Sequence, residues 1–485
     1  MRCALVIPAW APAEIFPART AGSQLNYWQP LGTLYVASSL QRAGHEVKLF
    51  DGAFLSHAQL VEALVAFDPR WVGIYATTFG WPKARQTAAD VRARLPGAFL
   101  CAGGPYPIAA QDGCLRECDA FDAAVTGEGE RTSVEMLERL ARGEGLAGVR
   151  GLAHRTAGRI ALEPPRPLDT SLDELPFPDR TLLGDTSRYA PPPAMYRRSP
   201  VAVVLTSRGC NRRCIFCFQL DRERRSGVRY RTVENVLEEI ERCLAQGYRE
   251  IKFIDDTFAQ DRQRALLLAR EIKRRKLDFT WFASACVNQV DPELLQAFRE
   301  AGCWAILFGV ESGVPKNLAM LRKGISLPQA RNAVRWAKQA GLHVQTTFVF
   351  GIPGETYEEA LQTIDFACEL GADVASFHAL VPFPGTWLHE HASEYGTVSS
   401  ELQDFTYQGA AFVPHTMTRE QIRELRQRAY RRFYSRPAFL ARRLLRLRSG
   451  RDLRVALRSA KALFWLWAGK DVLVPSPPER GGSAP

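Results

Sequence analysis

Short apolar runs alternate, along most of the chain, with stretches whose apolar residues recur every three or four positions. "RCALVIPA" is strand-like, "LGTLYVASSLQRAGH" has helical spacing, and "EVKLFDG" is a strand again. "WVGIYATT", "AFLCAGGP" and "AAVTGEGE" continue the alternation, with helix-like segments between them. Each predicted strand runs at its C-terminal end into a loop containing Gly, Asp or Thr. In an open parallel sheet that edge is where ligands bind. The pattern predicts an α/β, Rossmann-like doubly wound domain over residues 1–150.

Periodicity stops at residues 163–200, which hold nine prolines and read as a linker packed along the surface, because Leu, Phe and Tyr are retained. From Val201 the alternation resumes through "VAVVLTSRGC", "EIKFIDDTF", "TWFASACVN", "CWAILFGVESG", "HVQTTFVFGIPG" and "VASFHALVPFPGT". Six to seven strands over residues 201–395 fall short of eight, so a partial (β/α)6 barrel is expected. Residues 396–485 read as a basic helical region ending in a disordered tail, "PSPPERGGSAP".

A chain of 485 residues exceeds one ordinary core, and its 46% hydrophobic and 24% charged residues exclude wholesale disorder. No apolar run reaches the ~18 residues of a membrane span, and "MRCALVIPAWAP" lacks the regions of a secretory signal, so a cytoplasmic protein is expected. The net charge of +11 is concentrated: residues 419–461 hold fifteen Lys or Arg against three acids, leaving the rest near neutral. This segment interleaves Arg with Leu, Phe and Trp, which suits either a helical cap on the barrel or a peripheral contact with an anionic membrane. No nucleic-acid module accompanies it.

Eleven cysteines without an export signal argue for reduced thiols and a metal site. Three of them, Cys210, Cys214 and Cys217, fall within "RGCNRRCIFCFQL". A [4Fe–4S] cube has four iron corners, and three cysteines in one loop reach three of them, leaving the fourth iron open to a ligand that is not protein. The competing reading is a zinc site completed by a distant residue. The spacing, with Phe216 before the last cysteine and a strand just upstream, resembles the radical S-adenosylmethionine superfamily over about residues 200–395.

In that family the open iron is chelated by S-adenosylmethionine, which one-electron reduction cleaves to a 5′-deoxyadenosyl radical. The resemblance places Asp255 and Asp256, with Thr257 and Phe258 beside them, near the methionyl group. It places Glu311 and Ser312 as further contacts to S-adenosylmethionine, and Gly351, Pro353 and Gly354 in a turn passing the adenine. Many relatives carry an arginine for the cofactor carboxylate on the third strand. Cys286 stands there, with Asn288 nearby, so another partner is required. Arg208, Arg212 and Arg213 remain unassigned between favouring the cluster's charge and docking a reductant protein.

No Gly-x-Gly-x-x-Gly follows the first strand and no phosphate loop is present, which excludes the usual dinucleotide and ATP signatures. The strand-end marks instead resemble the cobalamin-binding domain joined to radical S-adenosylmethionine barrels. The resemblance implies that Gly103, Gly104 and Pro105 and the run Gly127, Glu128, Gly129 and Glu130 line the pocket. Thr77 and Thr78 would lie near the corrin or its nucleotide tail. Glycines suit the close approach of backbone to a flat macrocycle. The Asp-x-His-x-x-Gly signature is missing: His57 lies at the wrong spacing and His45 is a helix-end cap, so cobalt is expected without a histidine.

These resemblances imply a C-methyltransferase acting on an unactivated carbon through [4Fe–4S], S-adenosylmethionine and cobalamin. A cobalamin-dependent cyclase or rearrangement enzyme, and a non-catalytic corrinoid and iron–sulfur sensor, are the alternatives. The implied partners are a small-molecule or lipid-like substrate and an electron donor such as flavodoxin or ferredoxin.

Overall fold

The computed structural model describes residues 1–10, 27–189, 191, 195–221, 227–406, 409–437 and 439–441. Its first sheet contains β1 (Arg2–Ile7), β2 (Glu46–Asp51), β3 (Trp71–Tyr75), β4 (Phe99–Gly103) and β5 (Ala123–Val125). They run parallel in the order β2-β1-β3-β4-β5. Cys3, Ala4, Leu5 and Val6 of β1 are all buried, because helices cover both faces. The strand order reverses between β1 and β3, which opens a crevice at the carboxyl edge. A hairpin of β6 (Leu152–Thr156) and β7 (Arg159–Leu162) extends the sheet antiparallel from β5. The sequence reading lacks it, since "LAHRT" and "RIAL" are short and partly charged.

The second sheet contains β8 (Val201–Val204), then, after the short β9 (Ser207–Arg208) and β10 (Arg229–Tyr230), β11 (Glu250–Phe253) and β12 (Thr280–Ala285). It continues with β13 (Cys303–Glu311), β14 (His343–Phe350) and β15 (Val374–Ala379). These six strands are parallel and neighbour one another in chain order from β8 to β15. Six is the lower of the two expected counts, and β8 does not pair with β15, so the barrel stays open. Its helices bury one apolar stripe each: Val233–Ala245 buries Val236, Leu237, Ile240 and Cys243.

An open barrel leaves two strand edges whose backbone groups need partners. At β15 the helix Arg419–Tyr434 supplies them. It is started by a capping box of Thr418 and Gln421. Tyr434 Oη accepts from Ala375 N (3.2 Å) and donates to Ala375 O (2.9 Å), and Arg426 Nε donates to Phe377 O (3.2 Å). At β8, Val203 N donates to Gln29 Oε1 (3.2 Å) and Arg180 Nη2 donates to Val203 O (2.6 Å). Gln29 belongs to the first sheet's domain and Arg180 to the proline-rich segment. Three parts of the chain therefore meet at one edge.

Before the helix, β16 (Gly396–Val398) and β17 (Phe412–Pro414) pair antiparallel, which adds a hairpin to the helical region expected there. Residues from 442 onward, which hold most of the basic run behind the membrane reading and the whole tail, lie outside the described residues. Among the described residues, no helix is long and apolar enough to cross a membrane.

Candidate functional site

The cysteine loop is an excursion between β9 and β10, whose antiparallel pairing sets Arg208 opposite Arg229 at its stem. Its middle is held by Ile215, whose N–H donates to Leu321 O (3.2 Å) and whose carbonyl accepts from Leu388 N (2.9 Å). Ile215 packs among Leu321, Val349, Ile352 and Leu388, with Phe216 against the same cluster. Cys214 is buried, Cys210 half-buried and Cys217 exposed. A hydrogen bond from Cys217 makes the Cys214 thiol more acidic, and Arg212 N donates to Cys210 Sγ (3.4 Å).

Among the described residues, no three Cys, His, Asp or Glu side chains converge on one ion position. Three thiols spread along a loop fit a cluster whose corners are separate irons.

The strand ends around this loop divide into supporting and open groups. Asp255 is fully enclosed and accepts from Thr206 Oγ1 (2.7 Å), Ser207 Oγ (2.5 Å) and Thr206 N (3.2 Å), so its carboxylate braces the end of β8. Asp256 is exposed at the mouth, its acidity weakened by partial burial and by Asp255. Thr257 Oγ1 accepts from Cys286 N (3.2 Å), and Phe258 packs in the barrel's aromatic core. Ser312 Oγ bonds Thr363 Oγ1 (3.1 Å) and Val314 N (3.2 Å), and so supports the turn.

Glu311 is different. The β13–β14 register shifts between Gly309 and Glu311, and Glu311 sits at φ +70°, a conformation rare outside glycine. Backbone strain of this kind persists where surrounding structure enforces it. The bulge brings Glu311 Oε1 to 2.7 Å from Lys323 Nζ, both side chains being nearly buried. A Cβ at residue 309 would lie 2.4 Å from that carboxylate oxygen and 2.9 Å from the ammonium, so glycine makes the space. Lys323 also acts electrostatically on Cys214 and Cys286, which places its positive charge beside the third-strand position where an arginine is missing. The sequence reading missed Lys323, a lone lysine in a loop with no periodic or motif signal. Asn288 joins this region to the cysteine loop: its Oδ1 accepts from Arg212 Nη2 (2.5 Å) and its Nδ2 donates to Gly324 O (3.0 Å).

Gly351, at the end of β14, begins a turn whose Gly351 N and Ile352 N donate to Glu355 (2.8 and 3.2 Å). Burial pushes the Glu355 carboxyl up to about 8.

At the β1/β3 switch point lies a cavity of about 660 Å³, a size suited to an organic cofactor. Its walls include Tyr75, Gly103, Gly104 and Pro105, the run 127–130, and Leu205, Arg208 and Ile254 from the barrel side. Gly104 has φ +103°, and a Cβ there would meet the Tyr75 ring at 2.8 Å and Ala76 O at 2.9 Å. At Gly103 and Gly127 a Cβ would meet nothing within 4 Å and would stand in open space, so their absence leaves the cradle flat.

Among the described residues lining this cavity none is a histidine; His57 pairs with Asp90 and His45 with the N-terminus. Thr77 and Thr78 do not reach its wall either. Thr77 Oγ1 accepts from Gly80 N (3.0 Å) at the start of the helix Trp81–Arg94. Glu128 and Glu130 line the cavity, but their carboxylates are engaged by Arg208 and Arg229.

Two family models match the chain: the radical SAM superfamily over residues 204–367 and the B12 binding domain over residues 20–137. The uncharacterized methyltransferase PH0819 of Pyrococcus horikoshii is 36% identical over 448 residues, covering 91% of this chain and 94% of the relative. The anaerobic magnesium-protoporphyrin IX monomethyl ester cyclase of Rubrivivax gelatinosus is 26% identical, covering 85% and 75%. Among solved structures, the radical S-adenosylmethionine methyltransferase TsrM of Kitasatospora setae, with cobalamin and a [4Fe–4S] cluster bound, superposes at TM-score 0.68. It is 20% identical, with 89% of this chain and 85% of that one covered.

Proposed function

The chain belongs to the radical SAM enzymes that carry a B12-binding domain, and on that premise we propose that it is a cobalamin-dependent methyltransferase acting on an unactivated carbon of a small molecule. The observation that carries the reading is that Leu205, Arg208 and Ile254, from the mouth of the barrel, form part of the wall of the glycine-lined cavity. A corrinoid in that cavity and S-adenosylmethionine at the cysteine loop would then flank one common space. When bound, the cluster, S-adenosylmethionine and cobalamin supply the radical and methyl-transfer chemistry.

The chain's own residues bind, orient and exclude water. Cys210, Cys214 and Cys217 would hold three corners of the cluster. Lys323 would meet the S-adenosylmethionine carboxylate in place of the missing arginine, Asp256 would face the methionyl amine, and Glu311, paired with Lys323 at 2.7 Å, would orient it. Gly351 and the turn braced by Glu355 would lie along the adenine. Gly103, Gly104 and Gly127 let the corrin lie flat on the backbone. The proposal includes a one-electron donor of the flavodoxin or ferredoxin class, a cytoplasmic setting, and a peripheral membrane contact if the substrate is lipid-like.

Anaerobic reconstitution with hydroxocobalamin, reductant, S-adenosylmethionine and a small-molecule extract of the source cells tests this. Methyl transfer predicts 5′-deoxyadenosine, S-adenosylhomocysteine and a product heavier by one CH₂. A cyclase gives little S-adenosylhomocysteine, and a sensor gives neither nucleoside. Cys214→Ala with full cluster content and full 5′-deoxyadenosine formation would overturn the assignment.

A further inference from the structure

The stem of the cysteine loop and the wall of the glycine-lined cavity share one set of ion pairs. Arg208 and Arg229 face each other across β9 and β10, at the two ends of the loop. Arg229 Nη2 and Nη1 reach Glu128 Oε1 (2.7 Å) and Oε2 (3.0 Å), while Arg208 Nη1 reaches Glu128 Oε1 at 3.0 Å. Arg208 Nη2 continues to Glu130 Oε1 at 2.5 Å. The four side chains are only 7–18% exposed. Arg229 also donates to Asp169 O (3.0 Å) in the proline-rich segment, and the Arg208 guanidinium lies 5.2 Å from the centroid of Tyr35, another cavity-lining ring.

Both arginines, one before Cys210 and one after Cys217, are therefore tied to one carboxylate, and that carboxylate sits between Gly127 and Gly129 in the cavity wall. Two arginines on two acids balance in charge, so the lattice has no surplus charge with which to recruit a ligand; what it fixes is position. A ligand pressing on residues 127–129 moves or immobilises the groups that hold the stem.

We propose that Arg208 and Arg229 are positioning residues which, through Glu128, couple occupancy of the cavity to the geometry of the cysteine loop, so that corrinoid and cluster strengthen each other's binding. The inference rests on the proposed function for the identity of the two ligands. Coupling of this kind is reciprocal in binding free energy. It also assigns Arg208, the first of the three arginines left open by the sequence, while Arg212 is engaged by Asn288 and Gly324.

The test measures hydroxocobalamin affinity of the full chain by equilibrium dialysis, with the cluster reconstituted and after its removal by anaerobic chelation. Wild type is expected to bind about tenfold tighter with the cluster present, the middle of the usual coupling range. Glu128→Gln is expected to bring that ratio close to one while iron and sulfide content and the EPR signal of the reduced cluster stay as in wild type. Arg229→Gln, checked for folding by circular dichroism, is expected to do the same and serves if the first variant does not fold. A ratio near one in wild type, or a wild-type ratio in both variants, overturns the coupling while leaving the corrinoid assignment standing. Wild type that binds no hydroxocobalamin in either state overturns that assignment and the coupling with it.

Discussion

Lys323 is one residue whose role depends on where the chain brings it. It stands beside Glu311, Cys214 and Cys286, where the proposed function calls for a cation to meet the cofactor carboxylate. Lys323→Met is expected to weaken S-adenosylmethionine binding about tenfold or more, as loss of a charge-assisted hydrogen bond does, with little effect on decarboxylated S-adenosylmethionine. Equilibrium dialysis of the cluster-loaded protein with both ligands measures it, and equal weakening of the two would refute the role. Glu355 makes a pH-dependent claim. Its carboxyl is raised by burial from 4.5 to about 8, so its contribution is fully present below about 4.5 and is lost as pH rises through about 8. Glu355→Gln should therefore gain stability relative to wild type as pH rises over that window. Urea denaturation of the cofactor-free protein at several pH values reads the difference, and a constant gap would contradict it.

At the scale of elements, the glycine after β4 decides the shape of the cavity wall. Gly104→Ala puts a methyl group against the Tyr75 ring and Ala76 O and forces φ +103° on a residue with a Cβ. Such strain costs about 1–3 kcal/mol, and the shifted turn should raise the hydroxocobalamin dissociation constant severalfold, measurable by tryptophan quenching. The parallel strands were legible because each is an apolar run ending in a turn. The β6–β7 hairpin was not, since four or five partly charged residues carry no period. A helical cap on the barrel was among the readings of the basic segment, but which residues of the helix Arg419–Tyr434 make it was hidden: Tyr434 and Arg426 look like surface residues until they are seen bonding the open edge of β15.

At the scale of the whole molecule, a buried triad fastens the two sheets together. Glu239, on a barrel helix, accepts from Arg180 of the proline-rich segment (2.6 Å) and from Arg231 after the cysteine loop, while Arg180 also meets Gln29 of the first domain (3.3 Å). Glu239→Gln strips the charge that both buried guanidinium groups depend on. It should destabilise the protein by about 3–5 kcal/mol in chemical denaturation, and a cost below about 1 kcal/mol would mean the network is dispensable. The sequence by itself determined the two α/β units and the three-thiol loop, because periodicity and ligand spacing are written in neighbouring residues, while the glycines of the cavity were named only through a family resemblance. Only the tertiary structure decided that Asp255 and Ser312 brace strand ends, that Thr77 starts a helix, that Lys323 stands beside Cys286, and that Glu128 binds Arg208 and Arg229. Those assignments depend on which distant charges and backbone groups fall within about 3 Å, and local sequence patterns do not encode such distances.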